Sequence, residues 1–172
     1  MLCVSKRSLR RRQFYYSKIG RVNRCFPLCC IFAQGLAWSE KFCIIVDMDR
    51  QKLQQFLTRQ TDRVWGRLCE SYPKLVKYNP PIIKLNGRLW RTAGYCYQEK
   101  NTVELGYKFF IANQDYYREM IEVILPHEVI HQADYNLFGE SEAKCGHGKN
   151  WRAIMETYGL PANNYHSMEI SR

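Results

Sequence analysis

Pro126-His127-Glu128-Val129-Ile130-His131 and, further on, Gly146-His147-Gly148-Lys149-Asn150-Trp151 decide how the rest of this 172-residue chain is read. Apolar residues lead in from Met120 to Leu125 and continue through Val129, Ile130, Ala133 and Leu137, the pattern of a buried helix. On a helix, residues four apart leave the same face one turn apart, so His127 and His131 form a two-imidazole clamp. Glu128 sits beside the first histidine but off the ligand row, a position that suits a general base better than a ligand. Phe138-Gly139 reads as the end of this helix and Gly146-His147-Gly148 as the approach to another, so His147 is the expected third ligand.

H-E-x-x-H fixes only three positions and also occurs by accident on helix surfaces. Here the apolar helix and the Gly-His-Gly entry favour a metal site, one zinc ion per chain. Three imidazoles with one open position suit zinc, and no carboxylate completes the facial triad that iron prefers. Cys145 could be an alternative ligand, although an incidental thiol is the plainer reading. His166 is expected either to stabilise an oxyanion or orient a ligand, or simply to pack. Asp134 could accept a ligand N–H; exposure on the helix surface is the simpler role.

The charge is uneven. Residues 1–47 carry nine Lys/Arg against Glu40 and Asp47, a net of +7, whereas residues 48–172 carry seventeen against fourteen, a net of +3. Five of the eight cysteines, Cys3, Cys25, Cys29, Cys30 and Cys43, also fall early. Cys69, Cys96 and Cys145 make no disulfide framework, so a reducing, cytoplasmic setting is expected, nucleoid-associated if DNA is involved. The apolar run from Cys25 to Ala37 is too short to span a bilayer, and no membrane contact is expected. Residues 1–47 are read as a basic, Cys-rich, disordered or dispensable extension, with Met48 as a true start; a secretion signal and a functional basic arm are the alternatives.

Residues 48–172 read as one α+β domain. Leu53, Phe56, Leu57, Val64, Leu68 and Tyr72 give a core-facing helix that Pro73 closes. Ile82–Leu85, Arg91–Tyr97 and Thr102–Tyr107 read as three strands, with Asn86-Gly87 as a turn signal. The expected fold is a small three-stranded antiparallel-type sheet packed on helices, zincin-like with an H-E-x-x-H active-site helix. Its last strand is expected at an edge, where it could accept an extended peptide. Asp115 is expected to cap the histidine helix, and a further helix to run from Gly148 to Tyr158. Tyr165–Ile170 could add a short strand.

Thr92-Ala93-Gly94, Val103-Glu104-Leu105, the H-E-x-x-H segment, His147-Gly148-Lys149-Asn150-Trp151 and Tyr165-His166 together resemble the SprT-like metallopeptidase family, which includes bacterial SprT proteins and Spartan-type proteases of DNA–protein crosslinks. The likeness covers about residues 48–171. It implies zinc at His127, His131 and His147, Glu128 as the catalytic residue, and a protein substrate associated with or crosslinked to DNA. Gly106 departs from the asparagine frequent in such sequences, and no zinc-ribbon extension of the kind many bacterial members carry is expected within residues 1–172. Lys144, Lys149 and Arg152, around the third ligand, are the candidate DNA contacts. The rival functions are a non-catalytic DNA-associated regulator with a structural zinc and a secreted general zinc protease.

Overall fold

The computed structural model describes residues 49–139, 146–162 and 168–170. The readings made for residues 1–47, Lys144, Cys145 and His166 fall outside these.

Helix α1 (Arg50–Ser71) starts at Asp49, whose carboxylate accepts the Lys52 N–H at 2.8 Å. Leu53, Leu57, Thr61, Val64, Trp65 and Leu68 are buried along one face at three- and four-residue spacing. Pro73 ends the run and opens a single 3₁₀ turn, Pro73–Lys77, whose Leu75 is fully buried.

The strands are β1 (Ile82–Asn86), β2 (Gly94–Tyr97) and β3 (Thr102–Gly106), in the spatial order β1-β3-β2. The sheet is mixed, which corrects the antiparallel expectation. β1 runs parallel to β3, Ile82 opposite Thr102 and Asn86 opposite Gly106, while β2 runs antiparallel to β3, Gly94 opposite Leu105. Asn86-Gly87 does make a turn, its Asn86 Oδ1 accepting the Arg88 N–H at 2.8 Å. It closes no hairpin, because the chain passes beyond the end of β3 and returns as β2. The Gly106 N–H donates to the Ala93 carbonyl at 2.8 Å and ties down that crossover. β2 and β3 are joined by a 3₁₀ turn, Gln98–Lys100, and by Asn101, whose φ of 45° is tolerated because asparagine enters the left-handed region readily.

β3 is therefore central, and the edge expected there belongs to β1 and β2. The β1 edge is covered. Gln54 of α1 donates to the Ile83 carbonyl and accepts the Leu85 N–H, so its side-chain amide stands in for a neighbouring strand, and Arg50 donates to the Leu85 carbonyl. Among the described residues β2 pairs only with β3 and leaves its outer edge open.

After β3 come α2 (Tyr107–Ala112) and α3 (Gln114–Glu119). The cap of α3 is Asn113, which accepts the Tyr116 N–H at 2.8 Å, and the expected cap Asp115 lies in the first turn. A π-helical turn, Met120–Ile124, leads into α4 (Leu125–Phe138). Pro126 explains this widening: it has no N–H to donate and its ring crowds the carbonyl four residues back, and a looser turn relieves both. Nine consecutive or near-consecutive positions of α4 are buried, from Leu125 to Asp134, so the helix threads the core. Helix α5 (Lys149–Tyr158) packs beside it and ends at Gly159, φ 91°. Residues 168–170 form no strand. Among the described residues no helix is long and apolar enough to cross a membrane.

Candidate metal centre

His127 and His131 leave α4 one turn apart, and His147 enters from the segment that precedes α5. Their Nε2 atoms form a small triangle, 3.3 Å between His127 and His131, 3.2 Å between His131 and His147, and 3.1 Å between His147 and His127. Zinc–imidazole bonds of about 2.0–2.1 Å in a tetrahedron set their nitrogens about 3.3 Å apart, so the triangle matches one face of such a site. Three ring nitrogens aimed at one point cannot satisfy one another as donors and acceptors; a shared cation can satisfy all three. The donor set fits zinc.

Electrostatics favour the ligand form of the rings. Burial, then the neighbouring His127 and His147, pushes the His131 pKa down to about 3. Burial and the Arg152 guanidinium lower that of His147. Both imidazoles are therefore neutral at physiological pH, with a lone pair free for a metal.

Trp151 forms the wall of the cluster. It is fully buried, with ring centroids 4.4 Å from His147, 4.8 Å from His127 and 5.2 Å from His131, and it stacks on His131 at 21°. Gln98, in the turn between β2 and β3, donates to the His131 carbonyl at 3.3 Å and links the sheet to the same turn of helix.

Glu128 is 8% exposed, and burial raises its pKa to about 8. Its space is made by Gly94 of β2. A Cβ on Gly94 would lie 2.7 Å from Glu128 Cγ and 3.0 Å from Oε1. The role of Gly94 escaped the reading of the sequence, although a glycine inside a strand is the signal for close approach. Asp134, expected on the helix surface, is 1% exposed. An amphipathic interpretation of α4 fails there because the helix is enclosed on nearly all sides.

The three candidate DNA contacts separate. Lys149 is exposed at the start of α5, Lys144 lies outside the described residues, and Arg152 folds back so that its Nε–H donates to the His147 carbonyl at 2.9 Å. A Cβ on Gly106 would meet Phe109 Cδ2 at 2.6 Å, so the packing of Phe109 here leaves room for glycine.

Protein SprT of Actinobacillus succinogenes is 33% identical over 79 residues, 45% of this chain and 43% of its own length. The Vibrio parahaemolyticus protein is 34% identical over 92 residues, 53% of this chain and 52% of its own. The Escherichia fergusonii protein is 29% identical over 120 residues, 69% of this chain and 67% of its own. The chain thus spans about half the length of the first two curated relatives. No solved structure matches. The SprT-like family model matches residues 65–169, a stretch that contains all three strands and the whole histidine cluster and makes up more than half of the sequence, and on that ground the chain belongs to the SprT-like family.

Proposed function

We propose that this protein is a zinc-dependent endopeptidase acting on protein substrates, in particular proteins seated on or crosslinked to DNA. The observation that carries the hydrolytic reading is the triangle of three Nε2 atoms, two of them on the helix turn that also carries a buried carboxyl. His127, His131 and His147 would hold the ion. When bound there, zinc supplies Lewis acidity for a scissile carbonyl and lowers the pKa of a water towards about 7.

Glu128 takes the proton from the attacking water and delivers it to the leaving amine. A carboxyl that burial alone lifts to about 8 holds and releases protons near neutral pH, and a cation beside it brings the pKa down towards the working range. Trp151 packs against all three imidazoles, and Gln98 ties the backbone of the His131 turn to the sheet. The open edge of β2, whose first residue touches Glu128, is where an extended segment of substrate would pair, taking the place assigned from sequence to the last strand.

The test is zinc quantitation with cleavage of an unfolded protein, with and without DNA, by the full chain and two variants. One zinc per chain is expected, with His147→Ala losing most of it. Glu128→Gln should keep zinc and fold while hydrolysis drops by orders of magnitude. Hydrolysis near wild type in Glu128→Gln, or full zinc in His147→Ala, overturns the assignment. An inactive wild-type chain with tightly held zinc would instead favour the structural-zinc regulator.

A further inference from the structure

Natural proteins guard an open sheet edge with a charged residue, a proline or a covering segment, because an unguarded edge pairs with any extended chain. The β1 edge has its cover in Gln54 and Arg50. Gly94–Tyr97 of β2 holds neither a charge nor a proline, and among the described residues its outer side pairs with no strand. The backbone groups it offers there follow from one bond. The Gly106 N–H donates to the Ala93 carbonyl at 2.8 Å, and Ala93 lies opposite Gly106 by continuation of the register that sets Gly94 opposite Leu105. Along an antiparallel strand the N–H and C=O of every second residue turn to the same side. Ala93, Tyr95 and Tyr97 therefore turn theirs to β3, and Gly94 and Cys96 present theirs at the open edge.

The side chains of β2 alternate between two faces. Gly94 and Cys96 face α4, where a Cβ on Gly94 would crowd Glu128 and the Cys96 thiol donates to Gln132 Oε1 at 3.7 Å. Tyr95 and Tyr97 face away from the helices, 53% and 38% exposed, and their ring centroids lie 4.7 Å apart. Ile82, 59% exposed, stands on the same face, across Thr102 from Tyr97. Three of the six large hydrophobic side chains exposed among the described residues are thus gathered on this face, so apolar contact is what it offers. Its charges cancel: the strands and the turn between β2 and β3 carry Lys84 and Lys100 against Glu99 and Glu104. Two of these are already engaged, Lys100 Nζ lying 5.7 Å from the Tyr97 ring centroid and Glu104 accepting from the Asn86 amide at 2.7 Å.

We propose that Tyr95 and Tyr97 select the substrate: an unfolded, extended polypeptide pairs antiparallel with β2 through Gly94 and Cys96, and two of its large apolar or aromatic side chains, two residues apart, pack on the tyrosine rings. The inference rests on the hydrolytic reading of the neighbouring site and adds what the substrate must carry. In this pairing the residues opposite Tyr95 and Tyr97 fall at non-hydrogen-bonded sites, where Cα atoms are about 4.5 Å apart and cross-strand side chains meet most closely. They lie one and three positions towards the substrate N-terminus from the residue opposite Gly94, which is the one beside Glu128. A folded protein keeps such side chains inside and its strands paired, so this edge takes unfolded chains.

The experiment gives the full zinc-loaded chain a fluorogenic peptide series with Phe or Ser at two positions two apart, scanned along the segment before the cut. Wild type is compared with Tyr95→Thr/Tyr97→Thr, in which threonine keeps the strand propensity of two exposed sites. Wild type should favour the doubly Phe peptide over the doubly Ser peptide by about 4- to 100-fold in kcat/KM, at about 2- to 10-fold for each aromatic contact. The double variant should lose most of that preference, in KM rather than kcat, because the rings act on binding away from the reacting atoms, and its zinc content should match wild type. Proline between the two Phe residues falls opposite Cys96, removes an N–H from the pairing and should lower kcat/KM by about 2- to 10-fold. Equal cleavage of the Phe and Ser peptides by wild type, or a Phe preference that survives in the double variant, overturns the proposal. So does a wild-type dimer that the double variant splits while peptide preference stays, since the face then belongs to a second copy of the chain. Anisotropy of the labelled peptides on zinc-loaded Glu128→Gln separates the two readings. Tyrosine-dependent binding with no hydrolysis by wild type removes the hydrolytic reading and keeps the edge, hydrolysis without Phe preference removes only the edge, and neither binding nor hydrolysis removes both.

Discussion

Replacing Gly94 by alanine tests the relation between strand β2 and the buried carboxyl directly. The added methyl would sit 2.7 Å from Glu128 Cγ, 3.0 Å from Oε1 and 3.1 Å from Cδ. Ordinary contact begins near 3.4 Å, so Cγ must yield by about 0.7 Å, or β2 must slide by as much against β3. Overpacking of this kind costs about 1–3 kcal/mol. A displacement of about 1 Å in a reacting group can cost about 100-fold in rate. Gly94→Ala should therefore lower kcat by tens to a hundredfold and lower stability by about 1–3 kcal/mol, while zinc content stays at wild type, because no imidazole is touched. Chemical denaturation, zinc quantitation and peptide hydrolysis measure the three quantities. A double-mutant cycle locates the cause: in a Glu128→Ala background the methyl has room, and Gly94→Ala should cost little stability. If Gly94→Ala is as active and stable as wild type, or costs the same with Glu128 removed, then Gly94 does not make the space for the carboxyl.

Three further outcomes follow from the same geometry. Arg152→Gln, which removes the donor to the His147 carbonyl, should weaken zinc by about 10–100-fold in competition with a chelator, whereas unchanged affinity would return Arg152 to the candidate DNA contacts. In chelator-treated protein Glu128 holds its proton up to about pH 8 when folded but only to its ordinary 4.5 when unfolded, so stability should fall as pH rises between these values. His131, at about 3 folded against 6.5 unfolded, acts in the opposite sense below pH 6.5, which leaves roughly pH 6.5–8 as the clean window; a profile there that is flat, or unaltered by Glu128→Gln, contradicts this. Trp151→Leu should broaden the imidazole geometry, seen as weaker zinc and an altered absorption spectrum of the cobalt-substituted protein, and an unchanged spectrum would show that the indole only fills space.

The legible parts of this molecule were those encoded locally. Two histidines four apart in an apolar segment and a helix that closes at Tyr158 are each settled within a turn of helix, and each does what its spacing implies. The gathering of His147 with the helical pair was legible as well, because the Gly-His-Gly approach left few other places for it. Strand pairing is different. Nothing in Ile82–Asn86 states that it lies parallel to a strand twenty residues later, and the turn at Asn86-Gly87 does not say which strand becomes its neighbour, since a tight turn looks the same in either case. The covered edge of β1 depends on Gln54, which reads as an ordinary polar position on a helix. The Arg152 clasp depends on a rotamer, and rotamers are not written in the sequence. The cap at Asn113 was misplaced by two residues because Asn113 and Asp115 offer the same chemistry, and only backbone angles choose between them.

The π-helical turn at Met120–Ile124 makes this helix sensitive to its residue count in a way that composition does not reveal. Such a turn takes in one residue more than an α turn, and each residue of an α-helix advances the side chains by about 100°. α3 and α4 are thus two phases of one continuous rod, and the histidine row of α4 points at His147 only while that extra residue is present. Substitutions in the turn that keep it apolar leave the phase alone. Deletion of one residue within it would let the rod regularise and swing both imidazoles about 100° around the axis, while Pro126 would again crowd the turn before it. The direction in which the ligands point is in this sense set by a length, and the family to which the chain belongs should tolerate exchange far better than insertion or deletion at this point.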